Sequence, residues 1–335
     1  MQFERLDPAA CDWERMDAFP DRQVFQSREW LAFLDETQGG EPVVCAVKDG
    51  SAEVGYFTGL ITRTYGIRML GSPLPGWATG YMGFNLQEGV SRADAAAGLV
   101  RYAQESLGCA HVELRDRGLA AQDADGGRFS VDRFPTSEID LTRGEDEILG
   151  GMKGNCRRSV RKAEERGVVI EAASDPEFAD DYYAQLIDVF AKQSLRPTYG
   201  IDRVRALIRH LQPSGRLLLV RARDPEGKCI ATGIFPALGR SAYFWGGASW
   251  REHQILQPNE AVIWFAMRYW KERGAEAFDM GGGGDYKRKY GGAELVVPHL
   301  SWSRFRALET MRELVRHLRD PSGLKRRLTT KRVSR

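Results

Sequence analysis

One order of elements occurs twice in this chain: strand, turn, strand, helix, glycine, strand. In the first half, Pro42 to Lys48 reads as a strand, Asp49-Gly50 as a tight turn and Ala52 to Thr62 as the returning strand. A helix from about Arg92 to Leu107 follows an irregular stretch; Gly108 stops it, and Cys109 to Leu114 reads as another strand. In the second half, Arg216 to Arg223, Cys229 to Leu238 and Ser241 to Ser249 read as strands, the first two joined by the turn Asp224-Pro225-Glu226-Gly227. A helix from about Asn259 to Arg273 stops at Gly274, and Glu276 to Met280 closes the series as a strand. The repeat lies in pattern and not in residue identity. It predicts an α/β chain with mixed sheets and two tandem units, as 335 residues also suggest.

The segment between the halves differs. Glu145 to Arg166 predicts one helix, closed by Gly167 before the strand Val168 to Glu171. Asp175-Pro176 supplies an N-cap and a first-turn proline for a helix running towards Ser194. Further helices are expected over Asp202 to Leu211 and Phe305 to Leu318.

The most informative stretch for function runs from Ala277 to Gly292. A strand-like entry ends in Asp279, Gly281 to Gly284 follow, and Asp285 precedes Tyr286, Lys287, Arg288 and Lys289. Glycines admit a ligand against the backbone, and cations beside aromatics suit an anionic, partly planar one. A surface loop beside a solvated basic patch would have the same make-up. A second loop, Gly71 to Gly83, is long, glycine-rich and aromatic, and is placed to line an acceptor groove between the units. The helix between the halves carries Arg158 and Arg161, one turn apart, as a cationic face for a pyrophosphate or polyanion. An exposed helix paired with Glu164 and Glu165 is the alternative. Trp245, Trp250, Trp264 and Trp270 read as core.

Composition removes several classes. Lys and Arg number 48 against 46 acids, so the chain is no nucleic-acid-binding polycation. Five scattered cysteines without a C-x-x-C argue against a disulfide framework or a zinc site and fit a reducing cytosol; no metal is expected. The N-terminus lacks the basic-then-apolar order of a signal peptide, and no apolar run approaches the roughly 20 residues that span a bilayer. A cytoplasmic location is therefore expected. Residues 321–335 form a basic tail without acids, suited to peripheral contact with anionic membrane at its inner face, or to solubility alone.

Three motifs in order resemble the Fem-type (FemAB-like) branch of the GNAT acyltransferase superfamily. Arg157 to Val168 is similar to its R-x-x-x-R-K-A-x-x-x-G-V helix, Tyr243 to Ser249 to its Y-x-x-G-G-S strand, and Phe278 to Gly292 to its closing D-F/L-G-G … Y-K-x-x-F-G signature. The resemblance covers residues 139–302. It implies a GNAT-like N-terminal domain over 1–140 with an acceptor groove, a GNAT-like acyltransferase domain over 141–320, and the tail. It implies transfer of an acyl or aminoacyl group to an amine of a nucleotide- or lipid-linked envelope precursor, for peptidoglycan or surface polysaccharide. The donor is aminoacyl-tRNA or acyl-CoA, with no tightly bound cofactor. An acyl-CoA-dependent N-acetyltransferase or N-acyltransferase of an amino sugar, and a non-catalytic saccharide-precursor binder, are the alternatives. Charged tRNA is thus an expected partner under the first reading. The usual Q/R-x-x-G-x-G/A turn for CoA is absent: Arg251 to Ala261 contains no glycine.

The resemblance gives Lys287 a contact to phosphate or to developing negative charge. It places Tyr286 beside bound donor or acceptor and Arg196 on a diphosphate. Asp279 and Asp285 flank the glycines and are candidates to receive the amine's proton. Gly281 and Gly282 would line the ligand. Asn259 opens the helix after the donor loop, as N-cap or as a substrate contact.

Overall fold

The computed structural model describes residues 1–120, 129–191 and 194–305. The basic tail 321–335 lies outside the described residues, as does all but the first residue of the helix expected from Phe305.

The first half consists of β1 (Gln2–Leu6), α1 (Trp13–Asp17), α2 (Arg28–Gln38), β2 (Glu41–Asp49), β3 (Ala52–Thr64), β4 (Ile67–Ser72), β5 (Gly83–Leu86), α3 (Arg92–Glu105) and β6 (His111–Leu114). The second contains β8 (Val169–Ala173), α6 (Phe178–Ala191), α7 (Ile201–Leu211), β9 (Leu217–Arg223), β10 (Cys229–Leu238), β11 (Ser241–Tyr243), β12 (Gly246–Ser249), α8 (Pro258–Glu272) and β13 (Ala277–Asp279). Between them lie β7 (Ser130–Asp140), α4 (Glu145–Gly151) and α5 (Gly154–Glu165); α9 (Asp285–Arg288) and β14 (Ala293–Ser303) end the described chain.

The strands form one sheet in the order β1-β2-β3-β4-β6-β14-β7-β13-β11-β10-β9-β8, with β5 on β3 and β12 on β10. This order reads alike from both ends. In each half the strand before the helix and the strand after it run parallel, β4 beside β6 and β11 beside β13. The last strand of each half then crosses over. β7 follows β6 in the chain but pairs with β13, and β14 follows β13 but pairs with β6. The two crossing strands pair with one another from Ala293↔Glu138 to Ser301↔Ser130. The tandem arrangement expected from the repeat is therefore a structural repeat about an axis between β7 and β14.

Three hydrophobic cores follow from this layout. One packs α3 on the first half's strands through Ala95, Ala96, Leu99 and Ala103. One packs α8 on the second half's strands, through Val262, Ile263, Ala266 and Met267, with α4 and α5 beside it. The third joins the halves, because α2 of the first packs on α7 of the second around Trp30, Phe33, Leu207 and Leu211.

Three expectations need correction. The helix expected over Glu145 to Arg166 is two helices. Met152 takes an extended conformation between them, and the backbone of Gly291 presses on the carbonyl of Gly151 there; a Cβ at Gly291 would lie 2.4 Å from that oxygen. Helix α6 begins at Phe178 and not at Asp175. The Asp175 carboxylate is instead bound by Arg221, whose NH2 lies 2.7 Å from Oδ1. The strand expected over Ser241 to Ser249 is split at Phe244-Trp245. Its register against β10 shifts by one residue there, from Ala237↔Ala242 to Ile234↔Gly246, as in a β-bulge.

Candidate active site

The bulge lies beside the end of β13: the Phe244 N–H donates to the Asp279 carbonyl at 2.8 Å, so the glycine turn after Asp279 lies against Phe244. Gly281 has φ +68 and Gly282 φ +124, backbone angles that L side chains rarely adopt. A Cβ on Gly281 would lie 2.6 Å from the Phe244 carbonyl, so only glycine fits this approach. Asp279 starts the turn by accepting the Gly281 N–H at 2.7 Å on Oδ1.

Lys287 comes back over the turn from α9. Its Nζ donates to the Gly281 carbonyl at 2.6 Å and lies 5.7 Å from the centre of the Phe244 ring. Burial lowers its pKa, against the opposing pull of Asp279. An ammonium has three donors and this bond uses one, so the half-buried cation retains donors for an incoming group.

The other expected residues fall into three places. Gly281, Gly282, Asp279 and Lys287 are brought together as above. Asp285 is not part of that group. Its side chain is 95% exposed and pairs with Arg288 across one turn of α9. Tyr286 turns towards the start of α8: Lys289 Nζ lies 4.0 Å from its ring centre, and Lys289 pairs with Glu260 of that helix. Arg158 and Arg161 are exposed on α5, which is tied to the start of α8 by a Ser159 hydroxyl bond of 2.7 Å to Gln257. Asn259 is not the N-cap of α8. Gln257, at φ +60, takes that position without a side-chain cap, and Pro258 sets the first turn.

Arg196 is exposed on the segment between α6 and α7. Three residues on, Tyr199 packs its ring 5.4 Å from that of Trp245, and its hydroxyl bonds that of Tyr182 at 2.8 Å. Arg203 donates to the Gly76 carbonyl at 3.0 Å, and the Trp245 indole N–H donates to Ala78 at 2.8 Å. The loop Gly71 to Gly83 thus meets the second half beside the bulge. Trp245 is half-buried and not core. Sequence reasoning missed Phe244 beside Lys287, and Trp245 with Tyr199 and Arg203 against the first half's loop. The signal for Phe244 and Trp245 was their place inside the Y-x-x-G-G-S strand; Tyr199 and Arg203 carry no local signature.

A cavity of about 300 Å³ lies elsewhere, lined among others by Arg92, Asp116, Arg117, Arg240 and Glu276. These charges already face one another: Arg92 with Asp116, Arg117 with Glu138, Arg240 with Glu276. The glycine turn is the better candidate.

Residues 151–289 match the family model described as an acetyltransferase (GNAT) domain. The crystal structure of FemX shares the fold at TM-score 0.74 over 93% of this chain and 99% of FemX, with 15% identity. The chain thus shares the fold of FemX, and residues 151–289 are similar to a GNAT domain. A tandem GNAT protein from the clavulanic acid biosynthesis pathway has TM-score 0.53 and 11% identity, over 91% of this chain and 98% of its own. A protein described as the C-terminal domain of a lysylphosphatidylglycerol synthetase from Agrobacterium fabrum has TM-score 0.53 and 12% identity, over 88% and 92%. No curated protein matches the sequence significantly. The GNAT match covers the bulge and all of the glycine turn. Among the described residues no helix is long and apolar enough to cross a membrane, and no group of His, Cys, Asp and Glu is arranged to hold a metal ion.

Proposed function

We propose that this protein transfers an acyl or aminoacyl group onto an amine of a cell-envelope precursor, with the reaction centred on Lys287. The observation that carries the reading is the half-buried Lys287 ammonium held over the glycine turn beside the bulge. FemX and the lysylphosphatidylglycerol synthetase domain support the acceptor class by their names.

The chemistry follows from the reaction. A neutral amine attacks the carbonyl carbon of an ester or thioester, and the carbonyl oxygen gains negative charge. Lys287 donates a hydrogen bond to that oxygen in a partly dry site, where such a bond is stronger than in water. The C–O or C–S bond then breaks, and the amine's extra proton leaves to solvent or to the departing group. In this reading Trp245 and Tyr199, whose rings lie 5.4 Å apart, give the donor or acceptor an apolar surface. In the same reading Arg196, on the segment that bears Tyr199, and Arg203, at the start of α7, contact a phosphate-bearing acceptor. Arg158 and Arg161 on α5, in this reading, hold a pyrophosphate.

Mass-spectrometric screening with acyl-CoA species, aminoacyl-tRNA and nucleotide-linked saccharides tests the reading. Retention of a nucleotide- or lipid-linked saccharide with turnover by one donor is the expected result. Saccharide binding without turnover by any donor would make the protein a binder and not an enzyme. Retained acyl-CoA with an amino sugar as acceptor would give an N-acyltransferase instead.

A further inference from the structure

Asp279 is 1% exposed, and both of its oxygens are engaged. The Tyr81 hydroxyl donates to Oδ2 at 2.8 Å, and the Thr136 hydroxyl donates to Oδ1 at 2.5 Å. The Gly281 N–H shares Oδ1 at 2.7 Å, and Arg117 stands 3.8 Å from Oδ2. The same Thr136 hydroxyl accepts the Gly282 N–H at 3.0 Å. A general base must reach the reacting amine. These oxygens are covered and already hold three donors, so the geometry gives Asp279 a different task.

The two donors come from outside the second half's own loop. Tyr81 belongs to the loop between β4 and β5, and Thr136 to the crossing strand β7. We propose that Tyr81, Thr136 and Asp279 are positioning residues through which the first half and its crossing strand set the glycine turn, and with it the Lys287 ammonium. The proposal rests on the role of Lys287 given above. The physical need is clear. Consecutive glycines lose more freedom on ordering than any other residues, so a turn of four would wander. Two of its amides are fastened, one to Asp279 and the next to Thr136. The carbonyl of Gly281, between those amides, accepts the Lys287 bond. A buried polar network with its members bonded rigidifies what it holds.

The test needs no substrate. In lysine-labelled full-length protein, NMR follows the titration of the Lys287 side chain together with hydrogen exchange at the amides of Gly281 and Gly282. Wild type should show Lys287 titrating below the exposed lysines. Thr136→Val should speed exchange at Gly282 by about tenfold relative to the β13 amides, the effect of losing one net hydrogen bond. It should also move the Lys287 titration towards that of exposed lysines, as the loosened amine reaches water. Thr136→Ser, which keeps the hydroxyl, should restore both. Tyr81→Phe should act in the same direction, and it decides the matter if Thr136→Val does not fold. The proposal is overturned if these changes leave both readouts as in wild type. It is equally overturned if Gly282 loosens only in step with β13, as general destabilisation would produce. If the coupling holds but Lys287→Met retains full turnover, the clamp stands and the functional reading of Lys287 fails.

Discussion

In the first half, the chain leaving β6 runs into Asp116. In the second, the chain leaving β13 runs into Gly281 to Gly284. Both points are ringed by glycine, but the room is used differently. A Cβ on Gly83 would lie 2.6 Å from the Asp116 carboxylate, and one on Gly118 would lie 2.2 Å from the Arg92 guanidinium. There the missing side chains admit an ion pair from the protein itself: Arg92, from the start of α3, binds Asp116 at 2.8 Å. The backbone N–H groups of Phe84 and Gly118 complete the shell, each at 2.7 Å. In the second half the missing side chain at Gly282 leaves room beside Lys287, whose Nζ would lie 3.4 Å from a Cβ there, and the start of α8 carries no capping side chain. The comparison teaches that glycine content does not mark a site. What fills the space does.

The first way to break that contrast is to remove the filling. Asp116→Ala should destabilise the fold by about 3 kcal/mol at neutral pH, because the Phe84 and Gly118 N–H groups lose their acceptor and Arg92 keeps only Asp21. Urea unfolding checks this. A loss below about 1 kcal/mol would mean that the pair seals nothing. A pH signature accompanies it. Burial pushes the Asp116 carboxyl up to about 6 in spite of Arg92. The folded state therefore holds more protons than the unfolded chain between about pH 4 and that value, and stability should fall as pH rises through this window. Asp116→Asn should flatten the slope.

The matching change in the second half acts on rate and not on fold. Lys287→Met should lower turnover about a hundredfold, or roughly 3 kcal/mol of transition-state stabilisation, with little change in melting. Lys289→Met should matter less, since Lys289 pairs with Glu260 away from the turn. Because the Lys287 pKa is lowered by burial, wild-type rate should decline with rising pH earlier than a solvent-exposed lysine would dictate. Equal small effects from both lysines would erase the distinction between the site and a basic surface patch.

A third change separates backbone strain from occupation of the space beside Lys287. Gly282→Val and Gly284→Ala both place a side chain at positive φ, +124 and +118, and should each cost about 1–3 kcal/mol of stability. Only the first puts a Cβ near Lys287 Nζ, at 3.4 Å; nothing lies within 4 Å of the second. Ligand affinity should fall about tenfold or more for Gly282→Val and stay near wild type for Gly284→Ala. Isothermal titration would show it. Equal losses would mean that the glycines serve the turn alone.

How much of this was legible beforehand depends on whether the cause was local. The repeat, the hairpins, the helix stops at Gly108, Gly167 and Gly274, and the glycine turn beside Lys287 were all readable, because each rests on a few neighbouring residues. The crossing of β7 and β14 was not readable, since strand partners more than a hundred residues apart leave no periodic mark. For the same reason Tyr81 and Thr136 gave no sign that they meet Asp279, 198 and 143 residues away. The break at Met152 was hidden because Gly291, far along the chain, helps to impose it. Asp285 was misplaced with the site because adjacency to the glycines said nothing about which way α9 would turn its side chain.

The smallest expected effect concerns the rim. Arg196 is exposed, so its contact to a phosphate-bearing acceptor would be partly screened by water and salt. Arg196→Lys keeps the charge but loses the planar fork that grips two phosphate oxygens, so affinity should drop by about fivefold, near 1 kcal/mol. Binding of a diphosphate-linked sugar and its phosphate-free form, each at low and high salt, measures it. The diphosphate form should bind more tightly, lose affinity as salt rises, and alone respond to the substitution. Indifference of both forms to salt and to Arg196→Lys would confine recognition to the interior. The two halves would then differ only in what occupies the turn: an ion pair in one, and Lys287 with its ligand in the other.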